Sequence, residues 1–219
     1  IISRHAKEKT VQTASEWIDA HMDCRLVLYR NCRNTAEIGR TVQSFLVGRH
    51  KNYLNAIHGT KPRAVFVPHR KAIHDAAADV VRRMRSEERL PLQDIVILTV
   101  STLERSAFAE MTELAGIPLS HQPEEGKLWF TTVRRYKGLE AKAVLLVDVH
   151  VSSLVNPTSQ RLIYVGSSRA AAYLETIFLD DVPLEEYPAL TERMGVEAAS
   201  PQGIAHWLGM EYGRKEKRS

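Results

Sequence analysis

The stretch TTVRRYKGLEAKAVLLVDV, residues 131–149, gathers groups that handle phosphates. Lys137 and Gly138 sit at a turn, Glu140 follows, and Thr131, Thr132, Arg134 and Arg135 precede them. A strand ends near Val133 and the next begins near Ala143. Glycine permits φ > 0 or a close backbone approach, and consecutive N–H groups in such a turn bind a phosphate or ribose oxygen. Hydroxyls and cations beside it can grip a polyanion backbone without reading bases. The alternative is an exposed connection with scattered charge, and spacing alone leaves both open.

Two arginines outside this stretch have the same character. NCRNTAEIG puts Arg33 at a strand's carboxyl end, just before a helix N-terminus whose free N–H groups favour anions. RLIYVGSSRAAAYLET places Arg169 in a predicted helix, after the hydroxyls of Ser167 and Ser168 and before three alanines. A buried arginine needs an anionic partner, either a structural carboxylate or a phosphoryl group. Asp148 ends an apolar strand as a Mg²⁺-holding aspartate does, but that role requires a GxxxxGK[ST] loop upstream. None is present, which assigns Asp148 a structural or loop-capping role. The nine histidines are scattered, and His69 and His74, five apart, diverge on a helix, so no metal site is expected. No Ser-His-Asp or Cys-His nucleophile pattern stands out.

Positioning these groups falls to an α/β chain. Short apolar runs, RLVLY (25–29), AVFVP (64–68), DIVILT (94–99), LWFTTV (128–133), AVLLVDV (143–149) and LETIFLD (174–180), alternate with segments of helical period. Most carry no charge inside, as strands covered on both faces should. Helices are predicted over 35–47, 71–89, 103–115, the last closed by Gly116, and 159–173 after the Asn156-Pro157-Thr158 start signal. The charged face of the second, Asp79, Arg82, Arg83 and Arg85, is expected to meet water. Short connections favour a doubly wound domain with function at the carboxyl ends of its strands. After Asp181 two weak helical stretches, around Leu190 and Trp207, flank Ser200-Pro201 and read as an appendage or tail.

Composition bounds the rest. With 219 residues, 44% hydrophobic and 26% charged, the chain can bury a core. Its net charge of +4 suits a polyanion without requiring one. The sequence has no run apolar enough to span a bilayer and no secretion signal, and Cys24 and Cys32 read as reduced. The expected compartment is cytoplasmic, and the opening Ile1 and polar start read as part of a longer protein.

Taken in order, the motifs acquire specificity. LYRNCRNTAEI resembles motif IV of the UvrD/Rep-like superfamily 1 DNA helicases, TTVRRYKGLEAKAVLLVDV resembles motif V, and RLIYVGSSRAAAYL resembles motif VI. DIVILTVSTLERSAF looks like the family's segment on the third strand. The resemblance runs from about Arg25 to Asp180 and implies a second, C-terminal RecA-like motor domain with a mostly parallel sheet. It implies a connecting segment over 1–24, the motor domain over 25–181 and a helical appendage over 182–219. Position 134 is arginine where many relatives have histidine, and Cys32 stands for a common tyrosine. The inserted domain that larger relatives carry between Phe108 and Leu128 is missing.

By that resemblance Arg33 and Arg169 reach the γ-phosphate of ATP, as arginine fingers, across a cleft. Lys137, Gly138 and Glu140 lie at the nucleotide, and Thr131, Thr132, Arg134 and Arg135 at single-stranded DNA. ATP and Mg²⁺ would be held mainly by a first, N-terminal ATPase domain, whose phosphate loop is absent here. The chain alone is therefore expected not to hydrolyse ATP. The rival expectation is a non-catalytic, helicase-derived module that binds nucleic acid or protein. A distant third is an enzyme that uses Asp148 and the histidines for other chemistry.

Overall fold

The computed structural model describes residues 33–45, 54–193 and 200–213; the RLVLY strand and both cysteines lie outside them. In chain order the main elements are α1 (Ala36–Ser44), β1 (Arg63–Val67), α2 (Arg70–Ser86), β2 (Ile95–Thr99), β3 (Glu113–Leu114) and β4 (Ile117–Ser120). β5 (Leu128–Thr132), β6 (Ala141–His150), α3 (Pro157–Ser167), β7 (Ala170–Leu179), α4 (Tyr187–Arg193), α5 (Pro201–Trp207) and β8 (Glu211–Gly213) follow. The strands form one sheet in the order β3-β4-β5-β2-β6-β7-β1-β8, parallel throughout except for the β3–β4 hairpin.

All five residues of β2 are buried, and its alternate side chains feed two cores. Val96 and Leu98 join Val144 and Leu146 under α1, α3 and α5, through Ile38, Ile163 and Ile204. Ile95 and Ile97 join Leu145 and Val147 under α2, through Ile73, Val80, Val81 and Met84. With helices on both faces of a mostly parallel sheet, this is the α/β class read from the strand pattern, of the RecA-like kind that the family resemblance implies. Residues 200–213 share this framework. The Ser200 side chain caps α5, Ile204 and Ala205 are buried, and β8 pairs in parallel with β1.

Three local expectations are corrected. The predicted helix over 103–115 is a single 3-10 turn, Leu103–Arg105, followed by the β3–β4 hairpin. Asp148 takes the Ala107 N–H and the Ser106 hydroxyl, holding Ser106 extended at ψ 153°. Ala115 and Gly116 then both take positive φ, 54° and 77°, the backbone of a two-residue hairpin turn rather than a helix cap. The predicted helix over 159–173 ends at Ser167, and the alanines after Arg169 open β7, because Ala170 pairs with Ala141 of β6. That pairing overrides the high helix propensity of alanine. Arg83 does not face water; it is ion-paired with buried Glu175 of β7, whose carboxyl pKa burial raises.

A smaller clasp holds the loop before β1 onto α1. Glu37 accepts from the Gly59 N–H at 2.8 Å and lies 2.8 Å from His58 Nδ1. The His58 hydrogen bond is the main cause, with Gly59 helping and burial opposing, that lowers the Glu37 pKa to about 2. A carboxylate lowered on folding contributes its stability above the ordinary value of 4.5, and that contribution is lost as pH falls through about 2. An NMR titration of the Glu37 side chain should show a midpoint near 2, rising toward 4.5 in His58→Ala. An ordinary midpoint in the wild type would refute the clasp.

Candidate functional site

The segment from Val133 to Glu140 is a crossover between β5 and β6, and it runs from one edge of the sheet to the other. Thr132 ends β5 level with Thr99 and, through β2, with Val147, whereas the crossover arrives at Ala141, six residues earlier on β6. Six residues of strand span about 20 Å. Two faces follow, one at the carboxyl edge and one at the amino edge. The candidate residues are therefore divided between the two edges, and are not confined to the carboxyl ends where the fold class leads one to expect them.

Val133 and Tyr136 are the buried anchors of the crossover, and Arg134, Arg135, Lys137 and Gly138 are exposed. Tyr136 stacks edge-on against Trp129, with ring centroids 4.9 Å apart. Burial raises its hydroxyl pKa, nearby Arg169 opposes that shift, and Glu140 adds to it. Gly166 lets α3 lie close to this loop. A Cβ there would stand 2.7 Å from Leu146 Cδ1 and 2.9 Å from Val133 Cγ2, so helix, strand and crossover pack as one unit.

At the amino edge Arg33, Glu140 and Arg169 come together. Arg33 Nε is ion-paired with Glu140, both side chains being roughly half exposed. Arg169 occupies the turn between α3 and β7, held by backbone bonds from its N–H to Gly166 O (3.1 Å) and from Ala141 N–H to its carbonyl (3.1 Å). Its guanidinium makes one long contact, Nη1 to Leu139 O at 3.5 Å, and its buried Nε has no partner among the described residues. Gly138 has φ +90°, and nothing lies within 4 Å of where a Cβ would be, so the backbone there is open to a ligand. Lys137 is exposed beside it.

Asn34 ties Arg33 to this cluster. Its amide donates to Ser168 O (3.1 Å) and Ala170 O (2.5 Å), and the Thr35 N–H donates to Ala171 O (3.2 Å). The residues on either side of Arg169 therefore fix the residues after Arg33, although 134 positions of sequence separate Asn34 from Ser168.

At the carboxyl edge Thr132, Arg134 and Arg135 line a cavity of about 440 Å³ with Ser101, Thr102 and Arg105. The Thr132 hydroxyl accepts from the Arg135 N–H at 3.1 Å, which sets the loop's departure from the strand. Thr131 is placed elsewhere: it is 1% exposed inside β5, so its hydroxyl is withheld from any ligand in the cavity. Arg105 went unremarked in the sequence. Its position just beyond a strand's carboxyl end, in STLERS, was the available signal.

Asp148 stands at φ 61°, where β6 slips register against β7 between Leu146 and Val149. This bulge turns its carboxylate inward. It accepts from Thr99 Oγ1 and Ser106 Oγ, each at 2.6 Å, and from the Ala107 N–H at 2.9 Å. Asp148 thereby caps the loop that carries Arg105.

Residues 127–175, which include the crossover, β6, α3 and Arg169, match the UvrD-like helicase C-terminal domain family. Among solved structures, the C-terminal domain of a possible DNA helicase from Lactobacillus plantarum WCFS1 aligns at TM-score 0.55 and 22% identity, over 67% of this chain and 86% of that one. An arterivirus helicase, nonstructural protein 10, aligns at TM-score 0.32 and 14% identity over 76% of this chain and 27% of its own, too slight a likeness to bear on the fold. No curated protein matches. With its motif-bearing segment matching that family and its fold similar to that of a helicase C-terminal domain, this α/β chain resembles the second, RecA-like motor domain of the UvrD/Rep-like helicases.

Proposed function

We propose that this chain is the second motor domain of an ATP-dependent DNA helicase or translocase of the UvrD/Rep type. It works in the cytoplasm, against an N-terminal ATPase domain of the same protein that holds most of ATP and Mg²⁺. The observation that carries the reading is the amino-edge cluster. Arg169 is fixed by its backbone, yet its guanidinium has a buried Nε that is unpartnered among the described residues, beside the Arg33–Glu140 pair and the open Gly138. An orphaned buried donor is costly unless a ligand completes it. A triphosphate oxygen is a fitting acceptor.

In this reading Arg33 and Arg169 place positive charge where negative charge develops on the γ-phosphate. Glu140 holds Arg33 until the phosphate competes for it, and Gly138 lets the backbone approach the nucleotide closely. No helix among the described residues is long and apolar enough to cross a membrane. Thr132, Arg134 and Arg135 bind the backbone of single-stranded DNA in the carboxyl-edge cavity. Because one crossover carries both faces, closing the cleft on nucleotide shifts the DNA-gripping residues, which couples hydrolysis to stepping.

The purified chain is expected to show no ATP hydrolysis, with or without single-stranded DNA. A protein that contains both motor domains should show turnover that DNA stimulates. Sustained hydrolysis by the chain alone would overturn the assignment of the phosphate- and metal-holding groups to another domain.

A further inference from the structure

A second cavity, of about 230 Å³, opens on the carboxyl edge beside the first, lined in part by Arg70, Ser101, Arg105, His150, Ser153 and Ser159. The two share Val100, Ser101 and Arg105 and so form successive reaches of one trough. Sheet order carries it past the ends of β5, β2, β6 and β7. Three strand spacings give about 14 Å of edge.

The charges in this second reach are arranged for an anion. Arg70 Nη2 donates to Arg105 O at 2.7 Å and to Ser106 O, which fixes its guanidinium at the wall. That leaves other N–H groups of its five-donor fork for a ligand. Two carboxylates line the trough, Glu104 in the first reach and Asp148 in the second, and each accepts hydrogen bonds within the protein, Glu104 from its own N–H and the Thr102 hydroxyl beside Arg135 and Arg105. Asp148 accepts from Thr99, Ser106 and Ala107, and Asp181 accepts from the Ser152 N–H, the Ser152 hydroxyl and His150 Nδ1. None of the exposed large apolar side chains, Ile57, Leu139, Leu184 or Tyr212, lines the trough. The aliphatic side chains that do line it, Ile73, Val100, Leu103 and Leu179, are buried or half-buried, which leaves a protein partner no well-exposed large apolar anchor there.

We infer that the second reach is an additional phosphate-binding station for a single-stranded nucleic acid, with Arg70, Arg105 and the Ser159 hydroxyl as its donors. The strand then crosses the domain from Arg134 and Arg135, past Arg105, to the start of α2. This rests on the proposed nucleic-acid role of the first cavity and extends it across β6 and β7.

The test is fluorescence anisotropy of labelled oligodeoxythymidylates of increasing length against this chain, as wild type, Arg134→Glu and Ser159→Glu. Ser159→Glu puts a carboxylate in the second reach yet keeps the Ser159 N–H bond to Asn156 Oδ1. A glutamate in the first turn of α3 also suits the helix dipole, so folding should survive. Wild-type affinity should rise with length until both reaches are spanned. In Ser159→Glu the shortest oligonucleotides should bind as before, the gain with length should vanish, and the salt slope should fall by about 0.7. Arg134→Glu should weaken every length. If Ser159→Glu binds long oligonucleotides like wild type while Arg134→Glu does not, the second station is overturned and the first cavity stands. Wild-type binding at no length overturns both. A polyglutamate peptide that binds as tightly as the longest oligonucleotide and is lost in Ser159→Glu would overturn the inference in favour of an acidic protein partner.

Discussion

Arg169→Ala in a protein that contains both motor domains is expected to lower DNA-stimulated ATP turnover by roughly 10³- to 10⁵-fold, the range for loss of an arginine finger. The fold should survive, because Arg169 is held by its backbone N–H and carbonyl, bonded to Gly166 and Ala141, and alanine keeps both. Among the described residues the lost side chain forfeits a 3.5 Å contact to Leu139 O and removes an orphaned buried donor, so stability should fall by no more than about 0.5 kcal/mol. A large kinetic effect with a small stability effect separates a phosphate-facing role from a structural one. Arg169→Lys should recover little, since an ammonium lacks the planar fork of donors. Unchanged turnover in Arg169→Ala would remove Arg169 from the reaction and shift the weight to Arg33, whose pair with Glu140 is the cluster's other cation.

The sequence was most legible where a segment's own side chains decide its state. β2 was read to within a residue because all five positions are buried, and two-sided burial leaves an unbroken apolar run. The identity of the site residues was legible through motif order, but their placement was not. Arg169 sits in a turn because Ala170 pairs with Ala141, a contact invisible to local propensity. The segment 103–115 has helical period, yet a carboxylate some forty positions away takes Ser106 and Ala107 out of the helix. Thr131 and Thr132 are chemically equivalent in sequence, but only the second lines the cavity. The division of the site into two edges depends on where the crossover lands on β6, which is a property of strand register.

Asp148→Ala is expected to be the most damaging single change to stability, costing about 3–5 kcal/mol. Three donors lose their acceptor, and two of them, the Thr99 and Ser106 hydroxyls, are fully buried. Each buried group left unsatisfied costs about 1–3 kcal/mol. Some of that is offset, because both hydroxyls still accept from backbone N–H groups, of Ser101 and Phe108. The φ of 61° adds a penalty of its own, since alanine tolerates the left-handed region less well than aspartate. Asp148→Gly removes the same hydrogen bonds without that penalty and should be less destabilised than alanine by about 1 kcal/mol. Asp148→Asn keeps one acceptor oxygen but sets an amide where a second acceptor is needed, and should fall between wild type and alanine. Urea unfolding of the three variants should show lower midpoints at unchanged m. Because the same carboxylate seats the loop carrying Ser101, Thr102 and Arg105, any variant that still folds should also bind oligodeoxythymidylate more weakly. A loss below about 1 kcal/mol in Asp148→Ala would mean that the buried hydroxyls find other partners, and that packing rather than this carboxylate sets the loop.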